Sequence, residues 1–208
     1  MRYLKNRSRM ILRQLNSVIQ SAAQTMPVVS ITGPRQSGKT TLAKYAFPDY
    51  AYANLENLPT RQFAGENPIG VLKQHPQGLI VDEAQYAPDL FSYIQVEVDQ
   101  SGLNGRYILT GSQNFLLMEK ITQSLAGRVA VFNLLPFSTK ELENTEYQRN
   151  SPFEYIVKGF YPRIYDQKTA DHQKLAFGFG NQFCRFSATT LFSEFQQKAA
   201  ENAQTIFL

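Results

Sequence analysis

Residues Gly33-Pro34-Arg35-Gln36-Ser37-Gly38-Lys39-Thr40 spell G-x-x-x-x-G-K-T directly after the apolar run Val28-Val29-Ser30-Ile31. A strand that runs into such a loop and then into a helix is the setting in which successive backbone N–H groups cradle nucleotide phosphates. The chemistry dictates the spelling. Gly33 and Gly38 allow backbone conformations that a side chain would forbid, with Pro34, Arg35, Gln36 and Ser37 forming the curve between them. Lys39 is the residue that reaches the β- and γ-phosphates, and Thr40 offers a hydroxyl oxygen to Mg²⁺. The helix beginning near Lys39, with Thr41 in its first turn, points its positive end at the bound phosphates.

Read alone, the octapeptide also fits a strand-to-helix turn that binds nothing. A second element decides against that reading: Gly78-Leu79-Ile80-Val81-Asp82-Glu83 is an apolar strand ending in two carboxylates, with Asp82 placed 43 residues after Lys39. In phosphate-loop proteins the aspartate of such a Walker B strand holds Mg²⁺, directly or through water. A glutamate following it polarises the attacking water. Asp82 is therefore the metal candidate and Glu83 the general-base candidate. A third strand, Arg106-Tyr107-Ile108-Leu109-Thr110, leads into Gly111-Ser112-Gln113-Asn114. Its polar end is expected beside the γ-phosphate, where Thr110, Ser112 or Gln113 would sense the nucleotide. Ser112 also suits the N-cap of a following helix, and the two readings are compatible.

At 208 residues the chain accommodates one complete α/β domain and a small appendage. No apolar stretch reaches the length of a membrane span. The single cysteine, Cys184, excludes an internal disulfide or a cysteine zinc cluster and suits a reducing compartment. Charge is unevenly spread: residues 1–48 carry eight Lys or Arg and no acid, the remainder thirteen bases against seventeen acids. Arg2, Lys5, Arg7, Arg9 and Arg13 accompany Leu4, Ile11, Leu15, Val18, Ile19 and Ala22, which recur at helical spacing. We expect a basic amphipathic helix packed by its apolar side, with the arginines on a solvated face outside the phosphate site. Binding of nucleic-acid phosphates and an organelle transit peptide are the sharper readings of the same head.

Along the chain, Tyr50–Leu55 reads as a strand and Leu58–Gly70 as short helical turns. Leu90, Phe91, Ile94 and Val98 share a helical face, Phe115–Ala126 is helical, Val129–Leu134 is a fifth strand and Ser138–Glu143 opens another helix. This β-α alternation predicts an α/β fold, a mainly parallel sheet with helices on both faces. The expected division is a leading helix over 1–26, a nucleotide domain over 27–146 and a C-terminal region over 147–208. Gly127-Arg128 falls between a helix and the fifth strand. Arg128 reads either as a dipole partner at a helix C-terminus or as an arginine that reaches a γ-phosphate, in its own subunit or in a neighbour.

Together, Gly-Pro-Arg-Gln-Ser-Gly-Lys-Thr-Thr-Leu, Asn54-Leu55-Glu56, Val81-Asp82-Glu83-Ala84-Gln85, Leu109-Thr110-Gly111-Ser112-Gln113 and Ser124-Leu125-Ala126-Gly127-Arg128 resemble one family. It is the prokaryotic AAA-type P-loop ATPases whose nucleotide domain is normally joined to a C-terminal domain with a restriction-endonuclease-like fold. The resemblance runs from about Leu12 to Tyr165, and Lys-Gly-Phe-Tyr-Pro at 158–162 looks like the segment that opens the family's second half. It implies a P-loop NTPase fold of AAA/ASCE type, ATP and Mg²⁺ as ligands, slow hydrolysis and a cytoplasmic home. Family members continue well beyond this segment, whereas here about 45 residues follow, so the chain looks C-terminally truncated, with only a remnant of the second domain. Half of the aromatic residues lie after position 146 without a clean period. That tail carries no Asp…Glu-x-Lys arrangement of a nuclease centre.

Three functions stay open on this reading. One is a Mg²⁺-dependent ATPase acting as a nucleotide switch on a protein partner or on a copy of itself. Another is an ATP-binding module without appreciable turnover. The third is a nucleic-acid-binding protein gated by ATP. Adenine is favoured over guanine by the resemblance and by the lack of an Asn-Lys-x-Asp motif.

Overall fold

The computed structural model describes residues 10–112, 119, 121 and 123–165. Five strands, β1 (Val28–Thr32), β2 (Ala51–Asn54), β3 (Leu79–Asp82), β4 (Tyr107–Thr110) and β5 (Val129–Asn133), form one sheet in the order β2-β3-β4-β1-β5. Every neighbouring pair is parallel, as the β-α alternation predicts. The three central strands, β1, β3 and β4, are buried throughout, which is why they read as continuous apolar runs, while the edge strands β2 and β5 are partly exposed.

Side-chain alternation sorts the strand residues between two cores. Val29, Ile31, Ile80 and Ile108 pack with Ile19 and Ala23 of α1 (Leu15–Thr25) and with Leu42, Ala43 and Ala46 of α2 (Lys39–Ala46). On the other face Val28, Leu79, Val81, Tyr107 and Leu109 pack against α3 (Leu58–Glu66), α4 (Pro68–Lys73) and α5 (Leu90–Ser101). Leu90, Phe91, Ile94 and Val98 of α5 are all buried, as their spacing requires. The short helices α3 and α4 are each started by an asparagine, Asn57 accepting from Thr60 N at 3.2 Å and Asn67 from Gly70 N at 2.9 Å, with proline in the first turn.

The leading helix packs into the core, Ile19 being fully buried, a burial that contributes roughly 2 kcal/mol. The basic face expected ahead of it is corrected at Arg13. The helix starts at Leu15, so Arg13 precedes it, and the Arg13 side chain is 9% exposed against Glu141. The charge is taken up by the Glu141 carboxylate and by backbone carbonyls. Arg2, Leu4, Lys5, Arg7 and Arg9 lie outside the described residues, as do Gln113, most of the helix expected over 115–126, and everything after Tyr165.

The described residues form two compact units, one comprising 10–150 with Phe160–Pro162 and the other Ser151–Gly159 with 163–165. The first holds the sheet and also a short helix, Thr139–Leu142, begun by a Ser138/Glu141 capping box. The second is built on the helix Pro152–Lys158, closed by the Tyr165 hydroxyl donating to Gly159 O at 2.7 Å. Among the described residues no helix is long and apolar enough to cross a membrane.

Candidate phosphate-binding and metal site

Parallel register aligns the carboxyl ends of the strands, and with them the polar residues of the sequence motifs. Ile31 pairs with Thr110, and Asn54 with Asp82. At this end of the sheet β1 gives way to the loop 33–38 and then to α2, while the chain crosses over β4 and β3 to reach β2. Such a switch point is where open parallel sheets leave a crevice for ligands.

The loop needs both glycines. Gly33 has φ +143°, and a Cβ there would stand 2.3 Å from Leu134 O. Gly38, at φ +94°, is the left-handed residue from which α2 starts. Gln36 also takes a positive φ, +63°. Arg35, Gln36 and Thr41 are exposed, whereas Pro34, Gly38 and Thr40 are half-buried and Ser37 and Lys39 buried. The Lys39 ammonium donates to Gly33 O at 3.2 Å and to Pro34 O at 2.8 Å, curling back over its own loop. Burial holds this ammonium below the ordinary lysine range; the carboxylates of Glu83 and Asp82 offset part of that, and Arg35 adds to it.

Asp82 is the hub of the site. Thr40 Oγ1 lies 3.0 Å from each of its carboxylate oxygens, the Tyr52 hydroxyl donates to Oδ2 at 2.6 Å, and the Thr110 hydroxyl donates to Oδ1. A hydroxyl whose proton faces a carboxylate keeps its lone pairs for another partner, so Thr40 and Asp82 together present hard oxygen ligands of the kind Mg²⁺ selects. One carboxylate and one hydroxyl fit an ion whose remaining ligands are phosphate oxygens and water. Next in the chain, Glu83 adopts a left-handed backbone, φ 55° and ψ 49°, and its Oε2 accepts from Gln85 Nε2 at 2.5 Å and from Ser112 Oγ at 3.4 Å. Left-handed backbone is uncommon for a residue with a side chain and is met at sites where geometry is over-determined by function.

The structure thus brings together the loop, Lys39, Thr40, Asp82, Glu83, Thr110 and Ser112. Thr110 holds the Asp82 carboxylate and Ser112 that of Glu83. Arg128 is not brought there. Its carbonyl accepts from Val28 N at 3.1 Å, at the opposite end of β1, and its guanidinium holds Asp99 through Nε at 2.5 Å and Nη2 at 2.8 Å. The five residues of β1 put about 16 Å of strand between it and the loop, which corrects the expectation that it reaches a γ-phosphate of its own subunit. The pair is on the surface, where the Asp99 carboxyl is held below its ordinary range by the Arg128 hydrogen bond.

Three participants were not assigned a role from sequence. Tyr52 reaches Asp82 from an edge strand because β2 lies beside β3, a pairing that local sequence does not encode. Gln85 is two residues from Glu83 in a turn of 3₁₀ helix, Ala84–Tyr86. Arg13 is bound to the carbonyl of Ser37 in the loop, 24 residues away.

Known proteins agree with this architecture. The AAA_14 family model, described as an AAA domain, matches residues 25–143. Uncharacterized proteins of Mycobacterium bovis and of Mycobacterium tuberculosis are each 32% identical over 140 residues, which is 63% of this chain and 30% of theirs. The chain therefore spans about a third of the length of these curated relatives. The Walker-type ATPase of Pyrococcus abyssi superposes with a TM-score of 0.52 at 17% identity, over 94% of this chain and 78% of its own, a likeness of fold. With the phosphate loop, the parallel sheet and the matched family domain in agreement, the chain belongs to the AAA-domain family of P-loop ATPases.

Proposed function

We propose that the protein binds ATP with Mg²⁺ and hydrolyses it to ADP and phosphate, using the nucleotide state as a switch. The observation that carries this reading is the convergence of three groups at one end of the sheet: the loop with Lys39, the Thr40–Asp82 pair and Glu83. In this account the N–H groups of residues 35–41 bind the phosphate oxygens, and Lys39 leaves the Gly33 and Pro34 carbonyls for the β- and γ-phosphates. Thr40 and Asp82 hold Mg²⁺, which when bound neutralises charge developing on the phosphates. Glu83 takes the proton from a water whose oxygen attacks the γ-phosphorus; the bond to the β–γ bridging oxygen breaks, and that oxygen leaves on ADP. Ser112 and Gln85 hold the Glu83 carboxylate before that water arrives.

Arg128 lies far from the phosphate site of its own chain, and its side chain, about a third exposed, is held by Asp99 and by the Ala126 carbonyl. It suits delivery to the γ-phosphate of a neighbouring copy, so self-association is part of the proposal. A second reading, nucleotide binding with little turnover, is favoured by one observation: Glu83 is occupied by Gln85 and Ser112. The test of binding is calorimetric titration with ATP, with and without Mg²⁺, of wild type and Lys39→Ala. Micromolar or tighter binding by wild type that the variant loses supports the proposal; equal binding by both contradicts it.

A further inference from the structure

Arg13 lies outside the groups just assigned, yet its side chain bonds to four residues distant in the chain. Nη1 donates to Ser37 O at 2.8 Å, Nη2 to Leu135 O at 2.5 Å and to Pro136 O at 3.3 Å, and Nε to Glu141 Oε1 at 3.0 Å. The guanidinium carbon also sits 4.8 Å from the centre of the Phe137 ring. Glu141 is itself fixed: Oε1 also accepts from Gln14 N at 2.9 Å, and Oε2 accepts from Ser138 N at 2.9 Å. The two side chains are 9% and 6% exposed. Only a planar fork of several donors serves this set of acceptors, which an ammonium would not.

The consequence lies in the acceptor. In a planar trans peptide the carbonyl of one residue and the N–H of the next point in opposite directions, and no peptide among the described residues is cis. Arg13 draws the Ser37 carbonyl to one side, so the Gly38 N–H is turned to the other. Gly38 is the N-cap of α2, whose first N–H groups have no partner within the helix and are of the kind that receives an anion. A Cβ on Gly38 would stand 3.7 Å from Arg13 Nη1, so the guanidinium lies directly behind this peptide.

The structure assigns Arg13 a positioning role: its bond to Ser37 O fixes the Ser37–Gly38 peptide plane so that the Gly38 N–H is aimed into the phosphate cradle before nucleotide arrives. The inference rests on the phosphate-loop reading above and deepens it. It ties the nucleotide site to the segment that precedes α1, with Glu141 as the anchor of the arginine.

The test compares wild type, Arg13→Gln and Arg13→Lys by three readouts: the Kd for Mg·ATP, the melting temperature without nucleotide, and the amide resonance of Gly38 in the nucleotide-free protein. Both variants are expected to bind Mg·ATP roughly tenfold more weakly, the scale of losing a hydrogen bond to a charged group, and to shift the Gly38 resonance. Lysine is not expected to rescue, because the fork and not the charge sets the plane. A role confined to stability lowers the melting temperature of folded variants and leaves Kd within twofold and the Gly38 resonance in place; that result overturns the inference. If Arg13→Gln does not fold, Arg13→Lys and Glu141→Gln, which loosens the anchor, are read by the same criteria. Wild type that binds no ATP overturns the nucleotide reading and this inference with it, and is seen before any variant is compared.

Discussion

The Thr40 hydroxyl lies 3.0 Å from both carboxylate oxygens of Asp82, a residue 42 positions later in the chain. The bond joins the first turn of α2 to the end of β3 and settles which way the hydroxyl proton points. Two further hydroxyls, from Tyr52 and Thr110, hold the same carboxylate. The Asp82 carboxylate is therefore held by three hydroxyls, and in the proposed account such fixing lowers the ordering cost of binding an ion there.

Removing one of those supports should be felt as a metal effect. Tyr52→Phe deletes the donor to Asp82 Oδ2 and nothing else from the side chain. We expect a several-fold rise in the Mg²⁺ concentration for half-maximal turnover, with little change in maximal rate at saturating Mg²⁺. Asp82→Asn, which removes the charge, should lower turnover at least about a hundredfold. A Mg²⁺ titration of activity checks both.

Burial of the Lys39 ammonium carries a stability cost that depends on pH. The ammonium is held below the lysine reference of 10.5, chiefly by burial. The unfolded chain therefore binds more protons than the folded one between the folded-state pKa and 10.5, so stability rises with pH across that window; below it the full cost of the buried charge is present. Lys39→Met should leave the nucleotide-free melting temperature at or above that of wild type near neutral pH. The variant's advantage should shrink as the pH is raised through that window, and the ATP-induced rise in melting temperature should vanish. Thermal scans across pH, with and without ATP, check this.

Gly33→Ala should be severe. The new Cβ would collide with Leu134 O at a backbone angle of φ +143°, so the loop must move or β5 must shift. We expect ATP binding to be lost and the melting temperature to fall by several degrees, measured by calorimetry and circular dichroism.

Arg128 and Asp99 form an exposed pair, so neither Arg128→Ala nor Asp99→Ala should move the melting temperature measurably. If Arg128 acts across a subunit boundary, wild-type specific activity rises with protein concentration, while Arg128→Ala stays flat and binds ATP normally. Mixing Arg128→Ala with Lys39→Ala subunits should then restore activity, because the Lys39→Ala subunits supply Arg128 to the intact phosphate sites of the others; a mixture as inactive as either variant alone would contradict action across the boundary.

Much of this site was legible in the sequence because its parts are contiguous. A glycine-bounded loop after an apolar strand announces itself, and so does Asp82-Glu83 at the end of another. Parallel alternation then fixed that both would meet at the carboxyl edge. What was not legible depends on long-range pairing. Tyr52 contributes because β2 pairs with β3 in a register set by tertiary packing. Arg13 resembled its basic neighbours, and its acceptors lie at Ser37, Leu135, Pro136 and Glu141, separations at which no local pattern operates. Arg128 reads either as a dipole partner at a helix end or as an arginine for a γ-phosphate, and local sequence does not decide; the strand direction carries it to the other end of the sheet.

The most direct test of the central claim is Mg²⁺-dependent phosphate release from ATP by purified wild type beside Glu83→Gln. The glutamine keeps the shape of the site while removing the proton acceptor. The account predicts measurable release by wild type, at least about a hundredfold less by the variant, and unchanged ATP affinity in both. Equal release by the two proteins would contradict the assignment of Glu83. No release by a wild type that binds ATP would contradict hydrolysis itself and leave a nucleotide-binding module.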